Sequence, residues 1–207
     1  QTGTMTFSLN NAANNSGGVA GYYSPGHANV RSGWDLGLLC KLKLTYDSVT
    51  YYKFTGNLVS ILPDAGLHNR RSVMCTAVDW MDEAARAKVK DITVQTDKRS
   101  DELVDLLVSN SVTKKPLATS YNTGQSTFAY AFDNLLDAQT TVLRALADCV
   151  ISELGYLYVK GDTTQGGTLK FEDRHARPKY GDADASFDNS MMGLTVDRMR
   201  SDVMNRV

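Results

Sequence analysis

Apolar and polar positions alternate in twos along the first part of the chain. Leu38, Cys40, Leu42 and Leu44 interleave with Leu39, Lys41, Lys43 and Thr45, the period of a strand with one buried face. Asp47 and Ser48 supply a tight turn into Val49 to Phe54, rich in β-branched and aromatic residues. Gly56 punctuates that run. Leu58 to Leu62 resumes it, and Pro63, Asp64, Ala65 and Gly66 form the next turn. Val73 to Val78 and Thr4 to Leu9 read as further strands. The long polar stretch Asn10 to Gly33 fits no element. Short strands separated by turns predict a small barrel or sandwich.

After Val78 the period changes. Asp79 is placed as an N-cap, with Asp82 in a capping-box-like position, and opens a short helix through Lys88. Val89 to Gln95 reads as a strand. Ser100 caps a second helix on which Leu103, Leu106 and Leu107 share a face, and Thr127 to Phe132 alternates weakly. A third helix is capped by Asp137, carries Leu143, Leu146, Ala147, Val150 and Leu154 on one stripe, and ends at Gly155 as C′. Tyr156 to Lys160 and Thr168 to Glu172 form a hairpin around the glycine-rich Gly161 to Gly167, with Leu157 and Val159 facing Leu169 and Phe171. Arg177 to Asp188 is turn-rich, and Met191 to Val196 reads as extended. The predicted class is α+β: a β-barrel-like N-terminal part over residues 1–78, then an α+β domain over 79–180 with three helices and a β-hairpin.

Composition narrows the function. The chain has 207 residues, 42% hydrophobic and 22% charged, enough to bury a core. Lys and Arg number 22 against 23 Asp and Glu, for a net charge of -1. That balance removes a partner held by charge alone, so no specific nucleic acid is expected. No apolar run is long enough to span a bilayer, and no secretory leader pattern opens the chain. Cys40, Cys75 and Cys149 are odd in number and far apart, which fits small buried hydrophobes better than a disulfide framework. The chain starts at Gln1 and stops at Asn205, Arg206 and Val207, and both ends read as cut from something longer.

Candidate chemistry is thin. Acid/base hydrolysis needs two converging carboxylates. Asp79 with Asp82 or Glu83 sits where acidic side chains cap a helix, and the adjacent Glu172 and Asp173 point to opposite faces of a strand end as solvated surface. His27, His68 and His175 make no metal-ligand spacing, and Asp182 with Asp184 lacks the rest of a calcium loop. Neither a nucleophile elbow nor a phosphate-cradling loop is present. No catalytic residue, metal or cofactor is therefore expected, and the chain reads as no enzyme. Ten tyrosines, with Tyr22, Tyr23, Tyr51 and Tyr52 in adjacent pairs, together with Trp34, are the candidate interface residues.

The order of these signals carries a resemblance. Phe54, Thr55, Gly56, Asn57, Leu58 and Val59 lead through Ile61, Leu62 and Pro63 to the strand Cys75 to Val78, which closes on Asp79, Trp80 and Met81. Ile151 to Val159, Gly167 to Arg174, and finally Asp202 to Val207 follow. Over most of residues 36–207 the chain resembles the tail-tip or baseplate hub proteins of tailed bacteriophages, also called minor tail or tail-associated structural proteins. The resemblance implies a homotrimer whose two barrel-like domains per chain form a ring that continues the tail tube. It implies other phage tail proteins as partners and a location at the virion tail tip, after synthesis in the bacterial host cytoplasm. Residues 181–207 would then be a connector and the start of a truncated second barrel. The alternative is a carbohydrate- or receptor-binding module of a phage tail, motivated by the tyrosines, Trp34 and Trp80.

Overall fold

The computed structural model of the chain describes residues 2–66, 71–90, 92–133 and 139–177. The described residues up to Arg177 belong to one compact unit. It is an α+β structure with three helices. Asp137, Met191 to Val196 and the segment 181–207 lie outside the described residues.

The N-terminal part is one four-stranded antiparallel sheet made of β1 (Thr4–Asn10), β2 (Leu39–Tyr46), β3 (Val49–Pro63) and β4 (Ser72–Val78), in the order β1-β4-β3-β2. Gly56 does not break the run as its punctuation suggests, because β3 is continuous over 15 residues. Gly56 is needed there for space: a Cβ would lie 2.3 Å from the Val78 carbonyl oxygen. Two bulges curl the sheet into a half-barrel. Lys53 is the extra residue between the pairs Leu42–Phe54 and Lys43–Tyr52, and Val59 is the extra residue between Leu58–Ala77 and Ser60–Thr76. The curl does not close on itself. Among the described residues β1 and β2 are its two edge strands.

The polar stretch that fits no predicted element is the lid of this half-barrel. It folds as successive turns pinned by the buried Asn11, whose side chain accepts from the Tyr23 N–H (2.8 Å) and donates to Ser24 Oγ (2.7 Å). Trp34 then reaches the core and donates from its indole to the Tyr23 carbonyl at 2.8 Å. Together with Leu58, Val73 and Cys75 it forms a small hydrophobic cluster, flanked by Phe7, Leu9, Tyr23 and Ile61.

The remainder adds α1 (Met81–Arg86), β5 (Lys98–Arg99), α2 (Ser100–Ser111), β6 (Thr119–Tyr121), β7 (Thr127–Phe128), α3 (Val142–Glu153), β8 (Tyr156–Lys160) and β9 (Thr168–Glu172). The hairpin β8–β9 forms as its sequence predicts, with Leu157 opposite Phe171 and Val159 opposite Leu169. β6 joins it in parallel with β9, a pairing no sequence signal announces. The described residues of the stretch Val89 to Gln95 form no strand: Gln95 makes an isolated bridge to Ala131, and Lys88 just before it bridges Thr141. α1 ends at Arg86 rather than Lys88.

The helices themselves are shifted from expectation. Ser100 is the first residue of α2 rather than its cap, and the Glu102 carboxylate accepts the Arg99 N–H at 2.9 Å. α3 is capped by Thr141, which accepts from the Arg144 N–H. Its buried stripe is Val142, Ala145, Leu146, Cys149 and Glu153, so the expected stripe is rotated and Leu154 ends 70% exposed. The left-handed position that closes α3 falls on Leu154, with φ 56°. Gly155 is small for another reason: a Cβ there would meet the Glu172 carbonyl at 2.4 Å. The three helices and the face of β9 enclose the larger hydrophobic cluster, which includes Trp80, Leu103, Leu107, Leu146 and Phe171.

Candidate functional site

Register defines the most distinctive surface of the chain. β2 pairs with β3 from Val49 to Asn57, whereas β4 pairs with β3 only from Asn57 to Pro63. The two pairings overlap at a single position. The first half of β3 and most of β2 therefore project beyond the sheet as a two-stranded arm. Its tip is the turn Asp47–Ser48, with φ 46° and 62° at the two central residues, the twist that tight hairpins require.

Nothing among the described residues covers that tip. Leu42, Leu44, Val49 and Tyr51 are exposed, Leu44 at 51%, and Tyr46 reaches 78%. The single buried face expected for Leu38 to Leu44 holds only at its base, where Leu38 and Cys40 pack on the small cluster. The reason is coverage: the two-residue period is present, but neither β4 nor the lid extends far enough to shield Leu42 and Leu44. Lys43 and Lys53 share the arm with these apolar groups, and Lys53 Nζ stands 5.5 Å over the Tyr51 ring. Two-stranded ribbons are marginal alone. This one is held at its root, where the Lys41 ammonium donates to the carbonyls of Thr164 (2.7 Å), Thr163 (2.9 Å) and Asp162 (3.4 Å) in the β8–β9 loop. Gly161 lets that loop reach the backbone of Tyr52 and Phe54, where a Cβ would sit 3.2 Å from the Phe54 nitrogen.

The expected interface residues divide accordingly. Tyr51 lies exposed on the arm, and Tyr52 is half-buried at its root near Lys41. Tyr22 and Tyr23 are half-buried in the lid, their rings edge-to-face at 5.1 Å. Trp34 is only 7% exposed and makes an edge contact with Tyr23, so its surface is spent inside the fold and offers no platform for a sugar.

The acidic candidates are occupied structurally. Asp79 stitches the sheet to α1: Oδ2 accepts from the Gly3 N–H and Oδ1 from the Met81 N–H, both at 3.0 Å. Burial pushes its carboxyl up, against the pull of those two N–H groups. Glu172 and Asp173 are not solvated surface. Glu172 accepts from the Tyr158 hydroxyl (2.7 Å) and Arg177 Nε (2.9 Å), which hold its carboxyl below the usual range. Asp173 is buried and accepts from Gln125 Nε2 at 2.8 Å. No group of three or more His, Cys, Asp and Glu among the described residues is placed to hold a metal ion. No helix among them is long and apolar enough to cross a membrane.

Sequence reasoning passes over Glu153, the most heavily partnered side chain of the α+β part. It is 0% exposed and accepts from the Ser100 hydroxyl (2.5 Å) and the N–H groups of Ser126 (2.9 Å) and Gln125 (3.1 Å). Arg174 Nε lies 3.4 Å from its Oε1. Burial alone would raise this carboxyl, but the Ser100 hydroxyl, the two N–H groups and the guanidinium together hold it below its ordinary value. Its one sequence signal is a charge at i+4 from Cys149, on the stripe that proves to be buried.

Comparison with known proteins adds fold neighbours at low identity. No protein-family model matches the chain, and no curated relative does. Among solved structures, the chain is similar to tail proteins. One is the tail protein from Neisseria meningitidis MC58, with 14% identity over 63% of this chain and 38% of that one, at a TM-score of 0.46. Another is the 43 kDa tail protein of prophage MuSo2 from Shewanella oneidensis, with 12% identity over 82% of this chain and 42% of that one, at a TM-score of 0.49. The chain thus spans about two fifths of the length of either structure.

Proposed function

We propose that the chain is part of a structural bacteriophage tail protein, a hub fragment that joins the tail tube to the tip fibre or spike. The observation that carries this reading is the exposed apolar arm, which a protein acting alone would bury or shorten. A projecting ribbon tipped by Leu44, Tyr46 and Val49 and flanked by lysines offers backbone groups for strand pairing and side chains for packing. Its root is tied to the β8–β9 loop through Lys41, a path by which contact made at the tip would pass load to the body. The motifs from Phe54 to Met81 and from Ile151 to Arg174 support the same family by resemblance. In this reading the full-length protein is a homotrimer whose ring closes by one repeated contact, and its work is mechanical rather than enzymatic. Asp79 and Glu172 serve structure, each occupied by the partners described above.

The test is location and stoichiometry. Antibody raised against the chain is expected to decorate one end of the tails in micrographs of virions made by the host that carries the gene. Native mass spectrometry of the full-length protein is expected to show three copies. Purified virions without label overturn the tail reading, and a full-length monomer at high concentration overturns the hub.

A further inference from the structure

Two arginines stand three residues apart at the end of the compact unit, and they are held unequally. Arg174 reaches inward to Glu153, which is 0% exposed, and donates from Nη2 to Ser126 Oγ at 2.8 Å. Arg177 lies on the surface. Its guanidinium carbon sits 3.8 Å over the Tyr156 ring and 5.4 Å from that of Tyr158, while Nε donates to Glu172 Oε2 at 2.9 Å. The far oxygen of Glu172 accepts the Tyr158 hydroxyl at 2.7 Å, with Lys170 Nζ 3.6 Å away, so the carboxylate is aimed before the arginine arrives. Two aromatic faces and an oriented carboxylate match the planar, forked shape of a guanidinium.

We infer that Tyr156, Tyr158 and Glu172 form a guanidinium receptor occupied in cis by Arg177, a salt-sensitive latch on residues 173–177. The difference in exposure defines its behaviour. The Arg177 side chain is 50% exposed and its ion pair is open to screening, whereas Arg174 pairs with a carboxylate shut away from solvent. The outer contact opens first, and the inner one, which must also open before a protease can take Arg174, opens more readily once the outer one has gone. The latch stands on these contacts alone and does not depend on the tail reading.

Trypsin reads the latch directly. It cuts after Arg174, whereas the bond after Arg177 is protected by Pro178, so Arg177→Gln changes the latch without changing the cleavage sites. In the 207-residue chain, Arg177→Gln is expected to speed cleavage after Arg174 about fivefold, and Arg177→Lys by less, since an ammonium keeps the charge facing Glu172 although it loses the planar fork. Raising salt to about 0.5 M is expected to speed cleavage of the wild type more than that of Arg177→Gln. Tyr156→Ala is expected to match Arg177→Gln. Hydrogen exchange separates a latch from a core contact: faster exchange confined to the amides of 173–177 supports the latch, and faster exchange reaching α2 and α3 overturns it. Equal cleavage of wild type and Arg177→Gln, with equal response to salt, also overturns it.

Discussion

The half-barrel and the α+β part solve the same problem in opposite ways. The α+β part encloses its apolar stripes between three helices and the face of β9, and even the buried Glu153 carboxylate is fully partnered. The half-barrel buries only a small cluster, needs the lid and Trp34 to finish it, and leaves the larger apolar side chains of its arm in solvent. One part buries its apolar stripes among its own elements. The other is stabilised largely by what is laid against it, and its remaining apolar surface stays uncovered among the described residues.

The largest effect is expected where the half-barrel is most dependent on its lid. Trp34→Ala removes a nearly buried indole and its hydrogen bond to Tyr23, at a cost of about 4 kcal/mol in chemical denaturation. Hydrogen exchange is expected to rise in residues 10–34 and in β1, while α2 and α3 stay protected. Uniform loss of protection across both parts would erase the contrast between them.

Glu153→Ala is the counterpart in the α+β part and is expected to cost about 3 kcal/mol, because the Ser100 hydroxyl, two N–H groups and Arg174 lose their common acceptor. The pH dependence has a definite sign. The ordinary value is 4.5 and the folded value lies lower, so the carboxylate stabilises the fold above pH 4.5, and that contribution is lost as pH falls through the lowered value. Glu153→Gln is expected to flatten the acid limb of the stability curve. An unchanged acid limb would remove Glu153 from that role.

How much of this was legible in the sequence follows the same division. The strands of the half-barrel, except the continuity of β3 through Gly56, the turn at Asp47 and Ser48, and the hairpin β8–β9 are legible because each rests on local period and turn chemistry. The exposure of Leu42 and Leu44 was not, because a two-residue period says which side chains share a face and nothing about whether a neighbouring strand covers it. The buried stripe on α3 is not legible because apolar residues such as Leu143, Val150 and Ile151 lie outside the face that is buried, and that face is chosen by partners far away in sequence. Glu153 meets Ser100 across 53 residues. No spacing rule spans that distance. The bridging of Gln95 to Ala131 likewise replaced a predicted strand with a single long-range contact.

A smaller effect is expected at the join between the two parts. Lys41→Met removes an ammonium shared by three carbonyls of the β8–β9 loop, worth about 1.5 kcal/mol. Its signature in calorimetry matters more than its size. Wild type is expected to melt in one transition, and Lys41→Met in two that overlap, the earlier belonging to the half-barrel. A single sharp transition in the variant would mean that Lys41 does not couple the parts.

The smallest effect on stability is the most informative about function. Leu44 and Tyr46 are exposed at the arm tip and lie outside both hydrophobic clusters, so replacing both by serine is expected to change the unfolding free energy by no more than about 0.5 kcal/mol. If these side chains are kept for neighbours in a tail, the same double variant in the full-length protein leaves the soluble subunit folded but blocks its entry into particles. Complementation of a null phage, scored as plaques and as tails in micrographs, measures that separation. Normal assembly by a Leu44→Ser, Tyr46→Ser protein would show the arm to be incidental, and the half-barrel's exposed surface would then need another explanation. A loss of several kcal/mol would instead place both side chains in the chain's own core, against their exposure at the arm tip, and would collapse the contrast between the two parts.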